Sequence, residues 1–180
     1  MLLKFLLLFS LRISKRKLFK SMNLQKYKYN FNFFNWIKKT ELVELSEINT
    51  QDDPIRPEIS NEFRTSQGRK IFGLKYNGDI EGVVCIAFTS DIPATVKELE
   101  LMSVNEKEGK IAIAYTLWSL KKGAGKKIMK ELLKYMKEKN HLDSIMTLSP
   151  LTPMATHYHI RNGAKLIKIN PTTQNFEYKI

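Results

Sequence analysis

Residues 111–137 read IAIAYTLWSLKKGAGKKIMKELLKYMK, and the change of pattern inside this stretch decides the fold. Ile111 to Leu120 is a β-branched and aromatic run, long enough for a central strand. From Gly123 to Lys139 the apolar residues Ile128, Leu132, Leu133 and Met136 recur at helical spacing, with lysines and glutamates on the other side, which predicts an amphipathic helix. Between the two lies Gly123-Ala124-Gly125, flanked by Lys121, Lys122, Lys126 and Lys127. A helix N-terminus presents unpaired N–H groups and the positive end of a dipole, and small residues let a phosphate approach the backbone, so the turn reads as a pyrophosphate cradle. An ordinary turn with solvated lysines is the other reading. The spacing matches neither a P-loop nor the dinucleotide fingerprint, which takes support from nucleoside triphosphates and NAD.

Upstream, Lys70–Tyr76 and Ile80–Phe88 are β-like runs around Asn77-Gly78, the strongest short hairpin signal in the chain. Thr95 to Met102 is a short helical segment. Lys39 to Ile48 carries Leu42, Leu45 and Ile48 on one side of a short amphipathic pattern, Asp52-Asp53-Pro54 breaks it, and Pro57 to Phe63 reads as a further short helix. Downstream, strands are expected at Asp143–Leu148, Ala164–Ile169 and Phe176–Ile180, with a short helix over Thr152–Arg161 opening at Pro153. The order predicts an α/β (α+β) fold with one mixed central sheet flanked by helices. Met146, Met154 and Tyr115 read as packed residues, the last with a polar tip.

The 180 residues carry 30 Lys and Arg against 18 Asp and Glu, a formal net charge of +12. Ten of the basic residues precede the first carboxylate, Glu41, so the division falls into a basic extension over residues 1–40 and a nearly neutral domain over 41–180. A global electrostatic case for nucleic acid therefore fails. The apolar run Leu2 to Leu11 is about half the length of a spanning helix. The arm reads as a poorly formed signal, an organelle presequence, a membrane-surface segment or sequence upstream of a start at Met22. The single Cys85 excludes an internal disulfide, reads as a small core residue, and fits a reducing, cytoplasmic setting, with organelle targeting through the arm as the alternative. With only His141, His157 and His159 beside it, no zinc site is expected, and no metal is called for.

The order of strand, basic glycine turn, helix, strand, helix and strand resembles the coenzyme A site of the GNAT acyltransferase superfamily. Its Gln/Arg-x-x-Gly-x-Gly/Ala loop matches Leu120-Lys121-Lys122-Gly123-Ala124-Gly125. Leu120 stands where the family has Gln or Arg, so side-chain charge falls to Lys121, Lys122 and Lys126. The resemblance implies a GNAT-like sheet, an acyl-CoA held by Gly123, Ala124 and Gly125, and a pantetheine arm paired with the strand near Leu117.

A second resemblance covers roughly Ile71 to Ile180. Ala112-Ile113-Ala114-Tyr115, Thr147-Leu148-Ser149-Pro150, and His159-Ile160-Arg161-Asn162-Gly163-Ala164-Lys165-Leu166 followed by Ile169-Asn170 are similar to the catalytic domain of malonyl-CoA decarboxylase, itself built on the GNAT fold. The family's serine carries over to Ser149 and its histidine to His159. Its helical N-terminal domain and its long insertion between those segments have no counterpart here. The resemblance implies malonyl-CoA as substrate, converted to acetyl-CoA and carbon dioxide. Decarboxylation generates an enolate, so a site must hold the thioester oxygen and deliver a proton to carbon. Ser149 would relay or orient and His159 would donate; Asn162 would fix the histidine or cap the helix before Gly163, while His157 lies on the opposite helix face.

Within the same fold, an N-acyltransferase would use Tyr158 to reprotonate the thiolate, with an amine as acceptor. A non-catalytic acyl-CoA-binding module is the reading from a different class, its arm docking to an anionic membrane surface. Nucleic acid is not an expected partner.

Overall fold

The computed structural model describes residues 40–180, and the basic arm with the expectations placed on it lies outside the described residues. Where the sequence predicts a helix at Lys39–Ile48, the chain forms strand β1 (Thr40–Leu45), paired antiparallel with β2 (Lys70–Tyr76). Leu42 packs into one core and Leu45 into the other, on opposite faces of the sheet. Apolar positions three apart fit one face of a helix, but in a strand they serve the cores on both faces, and the open edge of β2 selects the strand. A 3₁₀ turn at Thr50–Asp52 leads to α1 (Asn61–Thr65), which starts later than the predicted Pro57 because Ser60 caps it by accepting from the Phe63 N–H.

Asn77 and Gly78 both have positive φ, 53° and 100°, as a type I′ turn requires, and join β2 to β3 (Asp79–Thr89). Then follow α2 (Val96–Met102), β4 (Ile111–Ser119), α3 (Ala124–Lys137), β5 (Ser144–Thr147), β6 (Ser149–Pro150), α4 (Pro153–Arg161), β7 (Lys165–Ile169) and β8 (Thr173–Tyr178). The sheet order is β1-β2-β3-β4-β5-β8-β6, with β7 on β8, and β4 with β5 is the parallel pair among antiparallel neighbours. The final strand begins at Thr173, ahead of the predicted Phe176, because Thr173, Gln174 and Asn175 are buried polar residues whose side chains bond to backbone carbonyls.

One face of the sheet packs Phe72, Val84 and Ile86 against Ile128, Leu132 and Met136 of α3. The other packs Ile71, Cys85, Ile113 and Tyr115 against Ile59 and Leu99. Met146 lies in this second core, whereas Met154 is 80% exposed, against its reading as a core residue: it stands in the first turn of α4.

Two local irregularities position the site. Cys85 pairs with Thr116 and Ile86 with Ala114, so Tyr115 is the extra residue of a β-bulge in β4. Next to it β4 and β5 part. Their pairing runs from Ile111 opposite Ser144 to Ala114 opposite Thr147, and the Leu148 N–H donates to the Ala114 carbonyl at 3.0 Å. Past that point β4 continues along β3, while the other chain turns into β6 and pairs with β8. The result is a fork between two parallel strands.

Candidate active site

At the open end of the fork, Thr147 and Ser149 are two residues apart on an extended chain and so share a face. Pro150 keeps that chain extended. The Ser149 hydroxyl lies 2.7 Å from Nε2 of His159 and 3.1 Å from the Thr147 hydroxyl. His159 sits on α4, a helix defined at its start by the Thr152 side chain, which accepts from the Ala155 N–H, and by Pro153 in the first turn. At its end Gly163 takes φ 86°, and the Asn162 side chain donates to the Tyr158 carbonyl at 2.8 Å. Asn162 thus caps the helix; it does not hold the imidazole.

The imidazole is oriented by Tyr178, whose hydroxyl is 2.8 Å from Nδ1. Phe176 stacks on the ring at 4.8 Å, and Tyr158 meets it edge-on at 5.0 Å. Burial holds the His159 pKa down at about 4, so the ring is neutral at pH 7. A neutral imidazole has one donor and one acceptor nitrogen, and both tautomers suit this setting because Ser149 and Tyr178 are hydroxyls that serve either way. Burial also raises the phenol pKa values of Tyr158 and Tyr178, which stay protonated. His157, by contrast, is exposed and lies 3.3 Å from Arg161. The fold therefore separates two histidines that their helix placement alone did not rank.

At the other candidate locus, Gly123 is the N-cap of α3, with φ 83° and no side-chain cap, and the first turn holds no acid. Lys121, Lys122 and Lys126 are exposed around it, while Ala124 and Gly125 are buried. Leu120 is also exposed. Leu117 is half-buried on β4 opposite Val84, past the end of the β5 pairing. Tyr158 links the two loci: its hydroxyl donates to the Gly125 carbonyl at 2.7 Å while its ring touches His159.

A third component carries no motif. From the opposite face of the sheet, the Arg56 guanidinium spans the fork, one nitrogen donating to the Tyr115 carbonyl and the other to the Leu148 carbonyl at 3.0 Å. Asp53 braces it: one carboxylate oxygen accepts from the Ile55 and Arg56 N–H groups, and the other takes Arg64 and Thr116, both at 2.8 Å. The aspartate before Pro54 looked like a loop signal, yet it is 1% exposed. Cys85, 3.2 Å from Arg64, is buried, which pushes its thiol up to about 11 against the pull of the guanidinium. No group of three or more His, Cys, Asp or Glu suited to a metal ion occurs among the described residues, and none of their helices is long and apolar enough to cross a membrane.

No family model matches the sequence, and no curated protein is similar enough to be matched. Among solved structures, the chain is similar to the loading GNATL domain of CurA from Lyngbya majuscula, at 15% identity over 78% of this chain and 97% of that one, TM-score 0.58. It is similar to the N-acetyltransferase PseH of Campylobacter jejuni, at 15% identity with 78% and 97% covered, TM-score 0.51. Malonyl-CoA decarboxylase from Cupriavidus metallidurans is 23% identical over 71% of this chain, TM-score 0.46, and the chain spans 36% of its length. The fold is GNAT-like.

Proposed function

We propose that the protein binds acyl-coenzyme A thioesters in the fork between β4 and β5 and decarboxylates malonyl-CoA to acetyl-CoA. The observation that carries this reading is the buried bond of 2.7 Å between Ser149 and His159, beside that fork. The cap at Gly123 and the exposed lysines Lys121, Lys122 and Lys126 suit a pyrophosphate, with Ala124 and Gly125 completing the turn and Leu117 on the strand leading from it. PseH has been solved in complex with acetyl coenzyme A, which is consistent with such a ligand on this fold.

In the reaction, loss of carbon dioxide leaves an enolate whose carbon takes a proton. Ser149 supplies it and takes a proton back from Nε2 of His159, while Tyr178 passes its proton to Nδ1 as it takes one from water and so stays protonated. Because His159 is neutral, the chain of hydroxyl, imidazole and phenol moves protons without holding a permanent charge. The net proton comes from water.

The full-length protein incubated with malonyl-CoA should release acetyl-CoA and carbon dioxide, and His159→Ala should abolish this while retaining affinity for coenzyme A. Undiminished turnover in that variant would exclude His159 from the proton relay. Acetyl-CoA consumed only when an amine is added would instead favour an N-acyltransferase, in which Tyr158 is the candidate acid. Thermal stabilisation by thioesters with no turnover under either condition would leave a binding module.

A further inference from the structure

Resting on the acyl-CoA reading above, we infer that Arg56 is the electrophilic residue of the site, donating from its guanidinium to the thioester oxygen as that oxygen becomes an enolate. Four observations point there. Arg56 is 7% exposed, yet its side chain bonds only to the carbonyls of Tyr115 and Leu148. The nearby carboxylate, Asp53, forms its ion pair with Arg64 instead. A guanidinium has five N–H donors, so two carbonyls leave donors over, and its side chain makes no direct ion pair, Asp53 and Glu58 acting on it only from a distance. Within the same core, the buried Tyr115 hydroxyl has only the Cys85 thiol, a weak partner, beside it, and the buried Trp118 indole N–H has no hydrogen-bond partner. At the point where β4 and β5 part, the Arg56 guanidinium thus holds donors in excess of its two carbonyl acceptors, which suits a ligand that brings an acceptor and develops negative charge.

Placement selects which acceptor. Arg56 bonds to Leu148, the residue before Ser149, but reaches the fork from the face opposite the His159 layer. A thioester in the fork would have the cation on one side and the Ser149 hydroxyl on the other. The bond from C2 to the carboxyl carbon breaks, its electron pair forms the C1–C2 double bond, and the carbonyl pair moves onto the oxygen facing Arg56. As the pair returns, C2 takes the Ser149 proton. Holding the leaving carboxylate with the same cation would stabilise the bound acid rather than its fragmentation.

The test compares the full-length wild type with Arg56→Gln and Arg56→Lys. Calorimetry measures binding of acetyl-CoA against S-ethyl-CoA, a thioether without the carbonyl oxygen, and turnover is followed with malonyl-CoA. The wild type should prefer the thioester. In Arg56→Gln that preference should vanish, KM should rise by no more than the preference lost, and kcat should fall roughly 100-fold to 1000-fold, the usual size of losing one oxyanion donor. Arg56→Lys should recover part of both. An unchanged preference or an unchanged kcat in Arg56→Gln would overturn the assignment, as would a loss confined to malonyl-CoA affinity, which would make Arg56 a carboxylate clamp. A second measurement needs no variant: carbonyl-labelled acetyl-CoA bound to the wild type should show a lowered C=O stretching frequency, and an unshifted band would overturn the proposal. Wild type that binds neither compound would instead remove the acyl-CoA reading itself.

Discussion

His159 and Tyr178 are fixed to each other across two elements, Nδ1 of the imidazole lying 2.8 Å from the phenol oxygen, so the last strand sets the angle at which the imidazole meets Ser149. Tyr178→Phe keeps the ring and deletes the bond. A buried hydrogen bond is worth about 1 kcal/mol, so kcat for the proposed decarboxylation should fall by at least about fivefold, with coenzyme A affinity retained. Steady-state kinetics on the variant check this, and an unchanged kcat would show that β8 does not orient the imidazole.

The pH dependence of stability follows from the same histidine. Its pKa is lowered from 6.5 to about 4 in the fold, so below pH 6.5 the unfolded chain takes a proton that the folded one refuses. This contribution to stability is complete above pH 6.5 and is lost as pH falls towards 4, at about 1.4 kcal/mol per pH unit. Urea titrations at pH 7 and pH 5 should show the loss in the wild type and a smaller one in His159→Gln.

Gly123 and Gly125 should respond in opposite ways to alanine. Gly123 has φ 83°, where a side chain is strained, so Gly123→Ala should cost about 1 kcal/mol even though open space surrounds the position. Gly125 is helical, and an added Cβ would meet its nearest atoms at an ordinary 3.7 Å, so Gly125→Ala should be neutral or stabilising by up to about 1 kcal/mol. Chemical denaturation of the two variants separates these outcomes.

Arg64 and Asp53 form an ion pair with both side chains fully buried, 2.8 Å apart. Arg64→Met should destabilise the protein by about 3–5 kcal/mol, because Asp53 loses its ion-pair partner in the buried interior. Adding Asp53→Asn should restore part of that loss, which a double-mutant cycle measures directly.

How far the sequence reaches depends on the range of each signal. The Asn77-Gly78 turn, the helix behind Gly123 and the cap at Thr152 with Pro153 are written in neighbouring residues, and each forms as its neighbours dictate. Ser149 and His159 stand ten residues apart on adjoining elements, and a resemblance was enough to pair them. Tyr178 and Arg56 carried no such signal. Tyr178 reaches the site because β8 lies beside β5, and Arg56 meets partners 59 and 92 residues away. Such contacts come from sheet order, to which local periodicity is blind. The misread β1 shows the converse limit: its six residues satisfied a helical spacing, and the neighbouring strand decided otherwise.

Cys85 lies in the middle of β3 with no exposed surface, and it is the chain's single cysteine. A thiol reagent can reach it only when the central sheet opens, so the labelling rate of the native protein is a clock for that opening, read without introducing a probe. A ligand seated in the neighbouring fork should slow that clock, and the extent of slowing would report occupancy even for a compound that is never turned over.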